Sequence, residues 1–70
     1  MFPPNLNDLT SREVEVLAHV ALGMQNKEVA RVLVISEATV ENHLTKIYRK
    51  LSVCNRTEAC LYALRAGLVD

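Results

Sequence analysis

The stretch NKEVARVLVISEATVENHLTKIYRKL, residues 26–51, decides the fold of this chain. Its apolar residues recur at helical spacing in two blocks, which predicts helices at about residues 27–33 and 37–51. Asn26 and Ser36 are residue types that favour the N-cap position, so we expect each of them to precede its helix. Val34, Ile35 and Ser36 then form the turn. The residues expected to face inward are Val29, Ala30 and Leu33 in the first helix and Val40, Leu44, Ile47 and Leu51 in the second.

A short helix, a turn of about three residues and a longer helix form a helix-turn-helix arrangement, which many DNA-binding proteins use. Ala30 is small enough for a close approach of the two helices, and Val40, ten residues later, is placed to press back on the first helix. On a helical wheel, the longer helix carries neutral-polar residues opposite its apolar stripe and cations along one rim. This face suits a DNA groove, although a solvated amphipathic helix has the same pattern. The outward residues are Ala38, Asn42, Thr45 and Arg49, with Thr39, Lys46 and Lys50 on one rim and Glu41 and Tyr48 on the other.

Two further helices flank this segment, at about residues 10–22 and 56–66. Thr10 and Glu13 have capping-box spacing at the start of the earlier helix, and Asn55 is the expected N-cap of the later one. The sequence therefore predicts an all-α, compact four-helix domain over residues 9–70, preceded by a tail or linker at residues 1–8. The inward residues are expected to be Val14, Leu17, Ala18 and Ala21 in the earlier helix and Ala59, Tyr62, Ala63 and Ala66 in the later one.

The net charge is zero, but its distribution along the chain is uneven. Residues 1–41 hold six acids and three bases, whereas residues 42–70 hold five bases and two acids. Between Asn42 and Thr57 there are four bases and no acid, so a local basic patch is expected. The excess of bases in the second half favours a nucleic-acid partner despite the neutral total.

Several function classes are not supported by the sequence. Cys54 and Cys60 are expected to be reduced, and no paired spacing of ligands indicates a zinc site. No apolar run is long enough to span a bilayer, so we expect a cytoplasmic protein without a membrane partner. No convergent set of titratable residues indicates an enzyme, and no cofactor is expected.

The chain resembles the DNA-binding domain of LuxR-type (GerE-like) bacterial transcription regulators. The resemblance covers residues 9–69 and rests on four segments in their order along the chain. It implies four helices, with the third in the major groove of DNA and the fourth forming a homodimer contact on an inverted-repeat site. It also implies double-stranded DNA as the partner, with RNA polymerase as a possible further one. The segments are LTSREVEVL, GMQNKEVARVLVIS, EATVENHLTKIYRKL and NRTEACLYALRAGLV.

Position by position, the resemblance implies three groups of functional residues. The base-facing residues are Glu41, Asn42 and Thr45. The residues expected to contact the DNA backbone are Lys27, Thr39, Lys46, Arg49, Lys50 and Arg56. The residues expected in the dimer interface are Thr57, Leu61 and Leu64.

The sequence departs from the family pattern at two base-facing positions. Members of the family often have Lys or Arg at the position of Glu41, and frequently another basic residue at the position of Thr45. Glu41 can accept a hydrogen bond from cytosine, Asn42 can pair with adenine, and the Thr45 methyl can meet thymine. Alternatively, Glu41 lies on the rim and disfavours wrong sites by repulsion. Glu41 and the neutral total charge also leave open a helical protein-interaction module of the same fold with weak or lost DNA affinity.

Overall fold

The computed structural model describes residues 6–69, which contain four α-helices. The helices are α1 (Ser11–Ala21), α2 (Asn26–Leu33), α3 (Glu37–Leu51) and α4 (Arg56–Arg65). The predicted all-α fold is confirmed: α3 matches its prediction at both ends, α1 is one residue shorter at each end, and α2 and α4 each differ by one residue at one end. Part of the predicted tail, residues 1–5, lies outside the described residues. Leu6–Asp8 form a 3-10 turn, and Leu6 packs against the core.

The start of α1 is fixed by the predicted capping box. The Glu13 N–H donates to Thr10 Oγ1 at 3.1 Å, and the Thr10 N–H donates to Glu13 Oε1 at 2.9 Å. The predicted inward stripe of α1 was wrong in register, because only Leu17 of its members is fully buried. Successive residues of an α-helix are about 100° apart around its axis, so a prediction that is one residue out of register places the buried face about 100° from its true direction. The residues that α1 buries are Glu13, Val16, Leu17 and Val20, whereas Val14, Ala18 and Ala21 are half-buried.

The helix-turn-helix unit consists of α2, a three-residue connection and α3. The N-cap of α2 is Gln25 rather than the predicted Asn26, and its N–H donates to Glu28 Oε1 at 3.0 Å. Val34 ends α2 in the left-handed conformation with φ 58°, and the Ile35 N–H returns to the carbonyl of Ala30 at 2.9 Å. This conformation reverses the chain sharply, so that α3 begins directly after Ser36.

The core lies where α1 packs against the other three helices and α2 packs against α3. All four predicted inward residues of α3 are buried, and α4 contributes only two alanines. The apolar stripe of α3 therefore fixes which face that helix turns outward. The buried apolar residues are Leu9, Val16, Leu17, Val20, Val29, Ala30, Val40, Leu44, Ile47, Leu51, Ala59 and Ala63. None of the helices within residues 6–69 is both long and apolar enough to cross a membrane.

Candidate nucleic-acid interface

The outward face of α3 is polar and begins at a capped helix end. Ser36 Oγ accepts from the Thr39 N–H at 3.0 Å, which holds the first turn of the helix. Because the apolar stripe of α3 is buried, the opposite side is turned to solvent over the length of the helix. The exposed residues of α3 are Glu37, Ala38, Glu41, Asn42, Thr45, Lys46 and Arg49.

The three predicted base-facing residues are all exposed on this face. The Thr45 hydroxyl donates to the backbone carbonyl of Glu41 at 3.0 Å, so it is already satisfied within the helix. The methyl group is then the part of Thr45 left for an apolar contact. Asn42 combines an amide donor with a carbonyl acceptor, the pair of groups that recognises adenine in the major groove. Asn42 and Thr45 therefore present hydrogen-bonding and apolar groups to solvent, but no guanidinium or ammonium group.

Three of the predicted backbone contacts are exposed cations. Lys46 and Arg49 lie on α3, and Lys27 lies in the first turn of α2. A fourth predicted contact, Thr39, is half-buried, and its hydroxyl lies 2.8 Å from Ser36 Oγ. These exposed cations carry the charge that a contact with a phosphate requires.

Lys50, by contrast, is bonded within the fold. Its Nζ lies 2.8 Å from Oε1 of Glu13, which is only 2% exposed. Burial alone would raise the pKa of the Glu13 carboxyl, but hydrogen bonds from Lys50 and from the Thr10 N–H hold that pKa below its ordinary value. No local pattern in the chain predicts this ion pair, because its partners are 37 residues apart.

Arg56 is likewise bonded internally. Its guanidinium donates to Asn26 Oδ1 at 2.7 Å and to the backbone carbonyl of Met24. These bonds join the first residue of α4 to the segment that leads into α2. Asn26 was predicted to cap α2, but its side chain serves here as the acceptor for Arg56. The roles predicted for Lys50 and Arg56 at the DNA backbone stay predictions.

The predicted dimer residues lie on the solvent side of α4. Leu61 is 44% exposed and Leu64 is 50% exposed, and Thr57 is exposed as well. Beside Leu61 is an open groove of about 530 Å³. Its lining residues are Val53, Glu58, Leu61, Tyr62, Arg65 and Ala66. Ala66 was expected in the core but is exposed, at the position that follows the last residue of α4.

The two cysteines and the two histidines differ in their exposure. Cys54 is exposed, and Cys60 is half-buried with its thiol 3.7 Å from the carbonyl of Val20. His19 is half-buried, and its Nδ1 lies 2.6 Å from the carbonyl of Glu15. His43 is half-buried beside the core stripe of α3. Within residues 6–69, no group of three or more His, Cys, Asp and Glu side chains could hold a metal ion.

Comparison with known families gives a match over most of the chain. Residues 7–63 match the model of GerE, the bacterial regulatory proteins of the luxR family. The transcriptional regulatory protein LnrK of Bacillus subtilis is 50% identical over 66 residues, which are 94% of this chain and 30% of that protein. The transcriptional regulatory protein LiaR of the same organism is 47% identical over 62 residues, or 89% of this chain and 29% of that protein.

A solved structure agrees with the sequence matches. The crystal structure of ChrA, a response regulator in a heme-sensing two-component system, has a TM-score of 0.79 and 46% sequence identity to this chain. The similarity covers 87% of this chain and 30% of that protein. The chain thus spans about three tenths of the length of these relatives.

Proposed function

The chain belongs to the luxR family of bacterial regulatory proteins, and we propose that it binds double-stranded DNA sequence-specifically. In this proposal it is the effector domain of a cytoplasmic transcription regulator. The observation that carries the proposal is the outward face of α3, where the exposed neutral residues Asn42 and Thr45 are followed by the exposed cations Lys46 and Arg49. An α-helix fits the major groove of B-DNA, and base edges there present a distinct pattern for each base pair. The relatives LnrK and LiaR bear the name of transcriptional regulatory proteins.

In the proposed complex, α3 lies in the major groove with Glu41, Asn42 and Thr45 at the base edges. Asn42 pairs with adenine N6 and N7, the Thr45 methyl contacts a thymine methyl, and Glu41 accepts from cytosine N4. Each good base contact contributes about 1–3 kcal/mol of discrimination. Since no Lys or Arg stands at these three positions, the preferred half-site is not expected to depend on a guanine contact from them.

Affinity in this proposal comes from Lys27, Lys46 and Arg49 at the phosphates, with Thr39 as a neutral donor. Each phosphate neutralised by a cation releases a counterion, so the logarithm of the binding constant falls by about 0.9 per contact for each tenfold rise in salt. The exposure of the three cations leaves them free to reach the DNA without breaking a contact in the fold.

Dimerisation completes the proposal. Leu61 and Leu64, with Thr57 beside them, form an exposed patch on α4 that a second copy of the domain can cover. A two-fold dimer uses the same surface on both copies, and its symmetry matches an inverted-repeat DNA site. RNA polymerase is a further proposed partner of the DNA-bound dimer.

The deciding experiment is selection of bound duplexes from a random pool, followed by mobility shifts with two variants. Asn42→Ala should relax specificity at one base pair of each half-site, whereas Lys46→Ala should weaken binding to every duplex and reduce the salt slope by about one unit. Arg31→Ala, which removes an exposed cation outside the proposed contacts, is the control for general charge. Binding that neither Asn42→Ala nor Lys46→Ala changes would contradict the placement of α3 in the groove.

The exposed Glu41 also favours a second candidate function, a protein-interaction module without appreciable DNA affinity. Retention on generic double-stranded DNA at low salt separates the two functions, because non-specific DNA binding is almost entirely electrostatic. A domain that fails to bind the column, although it is folded by circular dichroism, would favour the interaction module.

A further inference from the structure

We propose that Lys50 does not contact DNA but is a positioning residue, which fixes the orientation of α3 by pairing with the buried carboxylate of Glu13. The inference rests on the proposed function, because it concerns how the reading face of α3 is held. It assigns to Lys50 a role different from that of the neighbouring cations Lys46 and Arg49, although all three lie in the second half of the same helix.

The first observation is the geometry of the pair. Lys50 Nζ lies 2.8 Å from Glu13 Oε1, and the same oxygen accepts the N–H of Thr10 at 2.9 Å. The contact therefore joins the last turn of α3 to the capping box at the start of α1. The Lys50 side chain is 35% exposed and that of Glu13 only 3%, so the ammonium closes over a carboxylate that water does not reach.

The second observation concerns the Glu13 carboxylate, which would lose its partner if Lys50 contacted a phosphate. Glu13 would then be a buried carboxylate without its cation, and removing one partner of a buried pair is strongly destabilising. The lowered pKa of Glu13 agrees with a carboxylate that is charged and stabilised in place. A phosphate contact made by Lys50 would therefore have to offset the loss of this buried pair. Lys46 and Arg49 face no such penalty, since both are exposed.

The Lys50–Glu13 pair can affect the positions of Asn42 and Thr45 because α3 is a rigid helix. Lys50 and Asn42 are eight residues apart, which is about 12 Å along the helix axis. A small tilt at the Lys50 end therefore moves Asn42 and Thr45 away from hydrogen-bonding and contact distance of the bases. The long side chains of Lys46 and Arg49 can follow a phosphate through the same tilt. Loss of the pair should thus reduce specific binding far more than non-specific binding.

The test measures the binding of the full chain to two duplexes, its selected site and a random sequence, over a range of salt concentrations. Lys50→Gln should weaken binding to the selected site about tenfold, while the affinity for random DNA and the salt slope stay unchanged. Lys46→Gln is the matched control and should weaken binding to both duplexes, with a slope smaller by about 0.9. Circular dichroism at the assay temperature verifies that each variant is folded.

Glu13→Gln gives a test of opposite sign. Removing an acid from a DNA-binding domain strengthens binding if only net charge matters. If the pair positions α3, Glu13→Gln instead weakens binding to the selected site. The inference would be overturned if Glu13→Gln bound both duplexes more strongly than the wild-type protein. It would also be overturned if Lys50→Gln weakened binding to both duplexes equally, with a salt slope smaller by about 0.9. Wild-type affinity of folded Lys50→Gln for both duplexes would overturn it as well.

One measurement needs no variant and remains available if Lys50→Gln does not fold. The ¹⁵N resonance of Lys50 Nζ in the wild-type protein should stay unchanged when the selected duplex is added, whereas that of Lys46 Nζ should shift. A shift of Lys50 as large as that of Lys46 would contradict the positioning role. A wild-type chain that binds neither duplex would instead refute the proposed function.

Discussion

Helices α3 and α4 each bury one face against α1, yet they differ in what they leave outside. In α3 every large aliphatic residue is buried, and the exposed side is polar. In α4 the buried residues are two alanines, and Leu61 and Leu64 remain exposed. The longer helix thus uses its apolar residues for the fold, whereas the shorter helix leaves two leucines exposed to solvent.

The contrast between the outer faces of α3 and α4 indicates which kind of partner each surface suits. A polar face with exposed cations suits a hydrated polyanion, because its groups are still available for hydrogen bonds and ion pairs. An exposed pair of leucines suits an apolar partner, because covering them removes apolar surface from water. Within the proposed complex, α3 therefore meets DNA and α4 meets protein.

The largest expected effect separates the two helices by stability. Ile47→Ala in α3 should lower the free energy of unfolding by about 2–5 kcal/mol, because the side chain is fully buried and its removal leaves a cavity. Leu61→Ala in α4 should change it by no more than about 0.5 kcal/mol in the monomer, because that side chain is exposed. Urea denaturation at low protein concentration measures both.

The milder Ile47→Val variant keeps this comparison measurable if Ile47→Ala does not fold. It should cost about 0.5–1.5 kcal/mol. A loss of stability in Leu61→Ala as large as that in Ile47→Val would show that α4 packs its leucines within the monomer, and the contrast between the helices would not hold.

The second effect concerns binding rather than folding. Leu61→Glu should weaken binding to a site with two half-sites by about tenfold or more, equivalent to about 1.4 kcal/mol, and leave binding to a single half-site nearly unchanged. The charge would be buried if a second copy covered α4. Leu22→Glu is the matched control, since Leu22 is 65% exposed at the end of α1. Equal loss in both variants would point to general repulsion by DNA and not to an interface on α4.

Much of the fold could be predicted from local sequence signals. Capping residues and apolar spacing give the four helices and the correct buried face of α3, whose polar and apolar residues are sharply separated. The outward placement of Asn42, Thr45, Lys46 and Arg49 follows from the same spacing. These features depend on residues at most a few helical turns apart, so each can be predicted from the sequence of a single helix.

The prediction was less accurate where contacts cross between distant parts of the chain. The α1 stripe was placed one residue too late, because a buried Glu13 is unexpected unless its pairing with Lys50 is known. The bonds of Arg56 to Met24 and Asn26 were missed for the same reason, since 30 residues separate Arg56 from Asn26. Charged residues in the second half of the chain all look alike in the sequence, and only their tertiary partners distinguish them.

A smaller expected effect compares the caps of the two helices. Ser36 Oγ accepts the Thr39 N–H at 3.0 Å, and Asn55 Oδ1 accepts the Glu58 N–H at 2.9 Å. Ser36→Ala and Asn55→Ala should each lower the free energy of unfolding by about 1 kcal/mol, because each leaves a backbone N–H without its partner. In DNA binding they should differ, which titration of one-half-site and two-half-site duplexes measures. Ser36→Ala should weaken binding to a single half-site, and Asn55→Ala only to the double site. The reverse pattern would contradict the division of roles.

The smallest expected effect compares the turns that lead into the two helices. Val34 and Ser52 both have left-handed backbones, with φ 58° and 57°. The left-handed conformation costs residues other than glycine about 1–2 kcal/mol, which a substitution by glycine would remove. The greater flexibility of glycine in the unfolded chain offsets about 0.5–1 kcal/mol of this gain. Val34→Gly should therefore stabilise the domain by about 0.5–1 kcal/mol, since Val34 is 88% exposed and little packing is lost. Ser52→Gly should gain less, because serine is not β-branched and suffers less crowding in this conformation. Urea midpoints rank the two variants. A domain that Val34→Gly destabilises would mean that the valine contributes to the turn before α3 more than its exposure indicates.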